Sequence, residues 1–128
     1  MEFRIKTEEE AYRLEASVQE IGKDLLIAIW GGDKPHIGSV AVAQPRPSLK
    51  DRSVLSATAS VFCYVGHKDD VIAKESAEKL SAALNRNVTV SVGIHWDDLE
   101  EAGIKTVLKN SRQLVNMIID EISATEVK

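Results

Sequence analysis

The sequence contains one cysteine, Cys63, so no disulfide can form within the chain. Cys63 lies in the apolar run 61–65, where a small buried hydrophobic residue in a reducing compartment is the expected role. A catalytic thiol needs a partly exposed, electropositive setting, and the middle of a predicted strand does not provide one. We therefore expect a fold stabilised by its hydrophobic core alone.

The chain also lacks a long apolar run and an excess of basic residues. No stretch of about 18 apolar residues occurs, so no membrane span is predicted. The first six residues contain no apolar signal core, which predicts a cytoplasmic protein rather than an exported one. Lys and Arg number 16 against 20 Asp and Glu, a formal net charge of −4. This acidic balance argues against nucleic-acid binding, which relies on Lys and Arg at phosphates.

Familiar catalytic signatures are missing as well. The sequence has no nucleophile elbow, no P-loop and no Gly-x-Gly-x-x-Gly motif. Because no complete catalytic constellation is recognisable, we assign no catalytic residue. An accessory protein is favoured over an enzyme, with a cofactor-maturation activity left open.

The length and composition are those of one globular domain. The 128 residues, 44% hydrophobic and 28% charged, predict a single domain over 1–128. Residues 12–19 alternate apolar and polar side chains, and residues 37–43 and 56–65 are also typical of strands. The run 25–30 is apolar throughout, which predicts a central strand covered on both faces, or on one face with an oligomer interface on the other.

The segment Gln44–Ser53 contains two prolines and three basic residues. It is predicted to be an exposed loop of unusual length, and such loops are often functional. Its basic residues Arg46, Lys50 and Arg52 are explained by solvation, or in an oligomer by contact with a neighbour's site.

The second half of the sequence changes period. Apolar residues at helical spacing predict one helix from Asp69 onward, with a stripe at Ala73, Ala77, Leu80 and Leu84. Residues 88–94 alternate as a strand, and a last helix follows with a stripe at Ile104, Leu108, Ser111, Val115, Ile118 and Ile122. The expected fold is α/β of the α+β type: a mainly antiparallel sheet of five to six strands flanked by two helices, in the order β-β-β-β-α-β-α.

All three histidines lie in short glycine-bearing turns at strand ends, residues 31–36, 66–70 and 93–98. If strands 37–43 and 56–65 are antiparallel neighbours and strand 88–94 runs parallel to 56–65, the three turns meet at one end of the sheet. We call this end the histidine rim. Both helices would begin there, with free backbone N–H groups. Together with the glycines and lysines of these turns, this predicts a site for a phosphate-bearing ligand.

The same residues are also compatible with simpler roles. A histidine in a turn is commonly solvated, and three histidines could bind zinc, although no His-x-x-x-His pair is present. Asp97 and Asp98 are explained by helix capping. Trp30 and Trp96 are explained as packing anchors, or as surfaces on which a flat ring stacks.

Three stretches carry a family resemblance: GGDKPHIGSVAVAQPRPS, SATASVFCYVGHKDD and VSVGIHWDDL. They resemble the LpdD-like prenylated-flavin chaperones, the small D subunits of gallate and hydroxybenzoate decarboxylase systems. The resemblance covers most of the chain, from about Leu25 to the final helix. The order of elements is also similar to that of the proteasome-assembly chaperones.

This resemblance implies a homodimer that binds prenylated FMN and protects it, matures it or delivers it to a UbiD-type decarboxylase. A flavin prenyltransferase is a further implied partner. The resemblance assigns the three turns to cofactor binding, through Gly32, Lys34, His36, His67, Lys68, His95 and Asp97. It implies no metal site.

Two further functions remain open from the sequence. One is a protein-assembly chaperone without a small ligand, which would hold its partner through the apolar strand 25–30 and the helices. The other is a small metal-dependent enzyme that uses the histidines.

Overall fold

The computed structural model describes residues 1–64 and 69–126. The elements in chain order are β1 (Glu2–Lys6), β2 (Leu14–Ile21), β3 (Asp24–Gly32), β4 (Ser39–Pro47), β5 (Leu55–Cys63), α1 (Asp70–Leu84), β6 (Val88–His95) and α2 (Glu101–Glu126). The short strand β1 precedes the expected order of elements, which is otherwise confirmed. The fold is of the α+β type.

The strands form one mixed sheet in the order β1-β2-β3-β6-β4-β5. β6 pairs with β3 in parallel, and all other neighbours are antiparallel. Since β5 and β6 are both antiparallel to β4, they run in the same direction without being neighbours. The ends of β3, β5 and β6 and the beginning of β4 therefore lie at one end of the sheet.

Both helices cover the same face of this sheet. α1 packs over β4, β5 and β6, and α2 packs over β1 and β2. Every second residue of the inner strands points into this core, as period-two burial requires. These buried strand residues are Leu14, Ala16, Val18, Leu25, Ile27, Ile29, Ala41, Ala43, Val88, Val90 and Val92. Each large aliphatic side chain buried here contributes roughly 1.5–3 kcal/mol before entropic costs.

The first helix follows its predicted stripe. Ala73, Ala77, Leu80 and Leu84 are all buried against the sheet. The helix ends at Asn85, which has a left-handed backbone and donates its N–H to the Ser81 carbonyl, the geometry that commonly terminates helices.

The second helix departs from its predicted stripe. Ile104 is 47% exposed, so its expected place in the core was wrong. The first core-facing positions belong instead to Gly103 and Val107, and Asn110 is buried with its amide donating to the carbonyls of residues 11 and 12. Gly103 and Asn110 lie on the buried face although neither is apolar, so the apolar residues alone predict the wrong face at the beginning of α2.

Within the described residues, neither helix is long and apolar enough to cross a membrane.

The expected loop at 44–53 is shorter than predicted, because β4 continues to Pro47. Gln44–Pro47 pair with residues 55–58 of β5. β6 pairs with β4 only as far as Ala43, so the later part of β4 has an unpaired side. A strand with an unpaired side tolerates proline, which has no N–H to donate.

The other face of the sheet, here called the open face, carries the intervening strand residues. Leu26, Ala28 and Trp30 of β3 lie on it, and Leu26 is 44% exposed. Of the two arrangements expected for the apolar run 25–30, the chain itself therefore covers one face only.

Two glycines allow the chain to cross itself closely beside the end of β6. A Cβ on Gly93 would lie 1.4 Å from the His36 carbonyl oxygen. A Cβ on Gly32, whose φ is +97°, would lie 2.0 Å from the His95 carbonyl oxygen. Only residues without a Cβ permit these backbone contacts. The same contacts bring the turn after β3 onto the end of β6.

Replacing Gly93 with alanine should lower the free energy of unfolding by about 3 kcal/mol, because the backbone of residue 36 must move to admit a methyl group. Urea unfolding monitored by circular dichroism measures the change. Ser91→Ala, two residues earlier on the same strand, should stay within about 0.5 kcal/mol of the wild type. Equal stabilities of the two variants would contradict the close approach.

A charged network closes the opposite end of the sheet. The Arg86 guanidinium, after α1, contacts the carboxylates of Glu20 on β2 and Glu126 on α2. The hydrogen bond from Arg86 is the main cause that holds the pKa of Glu20 below its ordinary value of 4.5. The network thus joins α1, α2 and β2.

This lowered pKa predicts an acid-sensitive contribution to stability. The unfolded chain protonates Glu20 first, so the free energy of unfolding should fall as the pH drops through 4.5 toward the lowered folded-state pKa. In Arg86→Met the loss between about pH 5 and about pH 3 should be smaller. Urea unfolding across this range measures it, with the exposed Lys109→Met as control. Parallel curves for all three proteins would refute the assignment.

Candidate functional site

The histidine rim forms where β3 and β6 end and β4 begins. Gly32 pairs with His95 in the parallel register of β3 and β6. Gly38, just before β4, donates its N–H to the Val92 carbonyl at 2.9 Å and accepts from the Tyr64 N–H at 2.7 Å. The turns 31–38 and 93–97, distant in sequence, are therefore joined by main-chain hydrogen bonds.

An exposed cluster of polar side chains lies on this rim. Asp97 Oδ1 is 2.9 Å from His95 Nε2 and 3.4 Å from Lys34 Nζ. The Asp97 N–H donates to Asp33 Oδ2 at 3.1 Å, and the Asp33 N–H donates to the His95 carbonyl at 2.7 Å. The four residues hold one another in a ring of contacts between two turns.

The cluster stabilises the ionised form of its central carboxylate. The hydrogen bond from His95, followed by the charge of Lys34, holds the pKa of Asp97 below its ordinary value of 3.8. The side chains of Lys34 and His95 are 70% and 44% exposed, so both remain within reach of a ligand from solvent. The cluster therefore places two exposed side chains that can donate hydrogen bonds, Lys34 and His95, on one carboxylate.

A second, more buried contact lies beside the cluster. His36 Nε2 is 3.2 Å from Asp69 Oδ2, and Asp69 Oδ1 accepts from the Ile94 N–H at 3.3 Å. His36 Nδ1 lies 2.8 Å from the Lys34 carbonyl oxygen. Asp69 is only 6% exposed. The contact connects the approach to β4, the end of β6 and the residue before α1.

The structure thus brings together five of the sequence-derived candidates: Gly32, Lys34, His36, His95 and Asp97. The remaining two, His67 and Lys68, lie outside the described residues. The beginnings of both helices follow strands that end at the rim, as the order of elements predicts.

Two carboxylates of the rim are absent from the sequence-derived candidates. The sequence assigns Asp33 only to a turn and Asp69 only to the beginning of a helix. Asp69 does occupy the N-cap position of α1, yet its side chain makes no capping hydrogen bond. The pair Asp69-Asp70 in the sequence Gly-His-Lys-Asp-Asp could have indicated this role, because only one of two adjacent aspartates is needed at the beginning of a helix.

Both tryptophans pack against neighbouring side chains. Trp96 makes an edge-to-face contact with Tyr12, with ring centroids 5.1 Å apart. Trp30 lies on the open face with the Arg4 guanidinium 5.8 Å from its ring centroid. They fit the interpretation as packing anchors.

Within residues 1–64 and 69–126, no three His, Cys, Asp or Glu side chains are grouped as a metal site. Cys63 accepts a hydrogen bond from the Ser39 hydroxyl at 3.0 Å. This contact ties β5 to β4.

A shallow depression of about 600 Å³ lies on the open face, far from the rim. It is lined by Asp24, Leu25, Val42, Ala43, Gln44, Thr58, Ser60, Asn87, Val88 and Thr89. None of these lining residues is a lysine, arginine or histidine. The rim, with its cationic side chains, is the better site for an anionic ligand.

Comparison with known proteins agrees with the resemblance carried by the three turns. The family described as "Prenylated flavin chaperone LpdD-like domain" matches residues 8–123. The protein LpdD of Lactiplantibacillus plantarum is 31% identical over 124 residues, which cover 95% of this chain and 86% of that protein.

A solved structure shares the fold. A chain of a chaperone complex for yeast 20S proteasome assembly superposes with a TM-score of 0.55 at 15% identity, covering 97% of this chain and 95% of that one. The similarity to the proteasome-assembly chaperones, which the order of elements predicts, is thereby confirmed for the fold. By sequence, over nearly its whole length, the chain belongs to the LpdD-like family of prenylated flavin chaperones.

Proposed function

We propose that the chain binds prenylated FMN at the histidine rim and protects it, matures it or delivers it to a UbiD-type decarboxylase. The observation that carries the proposal is the meeting of Lys34, His36 and His95 on glycine-rich backbone at one end of the sheet. Membership in a family of prenylated flavin chaperones supports the identity of the ligand. A flavin prenyltransferase is the proposed source of the cofactor.

The phosphate of the cofactor is the group that the rim is suited to bind. Lys34 and His95 share the Asp97 carboxylate, and Lys34 Nζ lies at 3.4 Å from it, near the limit of a hydrogen bond. A phosphate carries more charge than a carboxylate and accepts several hydrogen bonds, so it draws both donors away from Asp97. The Asp97 carboxylate orients Lys34 and His95 before the ligand arrives, and it then competes only weakly with the phosphate for their hydrogen bonds.

The arrangement supports carriage of a cofactor rather than catalysis by side chains. The rings of His95 and His36 each contact a carboxylate, that of Asp97 and that of Asp69. These contacts orient the rings at the edge of the rim. Lys34 and Ile37 are among the exposed residues of the rim, and an exposed site releases its ligand readily, as a carrier must.

We further propose that two copies of the chain pair through the open face. Leu26, Val42 and Phe62 on this face are 44%, 54% and 60% exposed, and exposed apolar side chains on one face can mark a protein-binding surface. The surrounding residues are mostly short: Ser17, Thr58, Ser60, Thr89 and Ser91. Small residues on a sheet surface allow close packing against a second sheet, with a spacing of about 10 Å.

The rim assignment predicts a large loss of affinity in Lys34→Ala/His95→Ala. Anaerobic titration with reduced prenylated FMN, monitored by absorbance, should give a dissociation constant roughly 100-fold above that of the wild type, because two charge-assisted hydrogen bonds are lost. The control Lys23→Ala, at the opposite end of the sheet, should bind like the wild type.

Three results would speak against the proposed function or its site. Failure of the wild type to bind either the reduced or the oxidised cofactor would reject the flavin and favour a protein-assembly chaperone. Equal binding by the double variant would move the site away from the rim. Equal weakening by the Lys23 control would indicate a general charge effect.

The dimer is tested by placing charges on the open face. Leu26→Lys/Val42→Lys should sediment as a monomer, because two buried ammonium groups at the interface are strongly unfavourable. Ile104→Lys, an exposed apolar residue of α2, serves as the matched control and should remain a dimer in analytical ultracentrifugation. A wild type that sediments as a monomer, or a double variant that stays dimeric, would exclude this interface.

A further inference from the structure

Asp69 occupies the position from which an aspartate normally caps a helix, yet it serves the rim instead. Its side chain makes no hydrogen bond to the first turn of α1. One oxygen accepts from the Ile94 N–H and the other faces His36 Nε2. Asp69 is 6% exposed, so its carboxylate is held away from solvent between the end of β6 and the turn that precedes β4.

The contacts of the His36 ring define where its protons lie. Nδ1 is 2.8 Å from the Lys34 carbonyl oxygen, which can only accept, so Nδ1 carries a proton. Nε2 is 3.2 Å from Asp69 Oδ2, and an ionised carboxylate also only accepts. Both ring nitrogens therefore face oxygens that accept hydrogen bonds, an arrangement that a doubly protonated ring satisfies.

This arrangement changes the role expected for His36. Since both of its N–H groups are directed to protein acceptors, the ring contributes its positive charge rather than a hydrogen bond to a ligand. Lys34 and His95, which are more exposed, remain the groups that contact the ligand directly.

The contact between the side chains of His36 and Asp69 requires glycine in the neighbouring backbone. A Cβ on Gly38 would lie 2.0 Å from Asp69 Oδ2 and 2.9 Å from His36 Nε2. Gly93 is likewise needed for the His36 carbonyl to pass over β6. The pair is thus packed on two glycines.

We propose that Asp69 is a positioning residue of the rim, which acts through His36. Its carboxylate keeps His36 doubly protonated and joins it to β6 and to the beginning of α1. The imidazolium is then the more exposed member of a neutral ion pair, 20% against 8%, and lies beside the donors Lys34 and His95. The ligand that this charge serves is the phosphate of the flavin, and to that extent the inference rests on the proposed function.

The protonation state is tested without any ligand by ¹⁵N NMR of the histidine rings at neutral pH. In the wild type both nitrogens of His36 should give signals of protonated nitrogen. In Asp69→Asn the amide can still accept from the Ile94 N–H, while its NH₂ donates to Nε2. Nε2 should then lose its proton, with Nδ1 unchanged. His95, whose ring contacts Asp97, serves as internal reference and should not change.

Two NMR results would overturn the inference. An unprotonated Nε2 in the wild type would show a neutral ring, with the proton on Asp69 or absent. An unchanged Nε2 signal in Asp69→Asn would show that the carboxylate does not determine the protonation of His36.

The contribution to binding is tested with reduced prenylated FMN. Asp69→Asn should melt close to the wild type, because its hydrogen bonds can be kept, and yet bind about tenfold more weakly. The variant loses one charge of each sign, and the lost positive charge is on the more exposed side chain, 20% for His36 against 8% for Asp69. Asp98→Asn, an exposed carboxylate of the neighbouring turn, is the matched control and should bind like the wild type. Wild-type affinity in a folded Asp69→Asn variant would reduce the pair to a purely structural contact and refute the proposal.

Failure of the proposed function and failure of the positioning role give different results. If the wild type binds no flavin, the proposed function fails, while the NMR measurement still decides the protonation of His36. If the wild type binds and Asp69→Asn binds equally well, the positioning role fails alone.

Discussion

The parallel pairing of β6 with β3 holds the two halves of the sheet together. β1, β2 and β3 form one antiparallel group, and β4 and β5 form another. β6 lies between them, with eight residues paired to β3 and five paired to β4. The continuous core beneath the helices depends on this insertion, and so does the rim, because the end of β6 is the point at which both groups meet.

The rim gathers Lys34, His36 and His95 together with three carboxylates, those of Asp33, Asp69 and Asp97. Each of these three nitrogen-bearing side chains has a carboxylate partner: Asp97 for Lys34 and His95, and Asp69 for His36. The two carboxylates differ in burial. Asp97 is exposed, so an anionic ligand can take its place as the partner of Lys34 and His95. Asp69 is buried, and a protonated His36 that lost it would be left as an unpaired charge. Asp97 is therefore suited to give up its contacts to a ligand, and Asp69 is suited to keep its contact with His36.

The open face gives the family fold a second surface, separate from the rim. The two helices bury the apolar side chains on one face of the sheet. On the other face, which no helix covers, lie Leu26 and Trp30 of β3. The proposed function needs one surface for protein and one for a cofactor.

Much of the fold follows from local patterns in the sequence. Alternating residues such as Leu14, Ala16 and Val18 specify both a strand and its buried face, because side chains on a strand alternate sides. The stripe Ala73, Ala77, Leu80 and Leu84 specifies a helix for the equivalent reason. Glycine-bearing turns placed the candidates Lys34, His36 and His95 at strand ends, and the resemblance of the same turns identified the family.

Further features depend on contacts between residues far apart in the chain. No local pattern reveals that β6 is inserted between β3 and β4, since strand periodicity defines a face and not a neighbour. The extension of β4 to Pro47 depends on β6 stopping at Ala43. The sequence by itself determined most of the elements, the buried faces of the alternating strands and of α1, and the histidines and lysine of the rim. The tertiary structure decided their partners, and it turned Asp69 from a helix cap into the partner of His36, because only the folded chain brings residues 33 positions apart within hydrogen-bond distance.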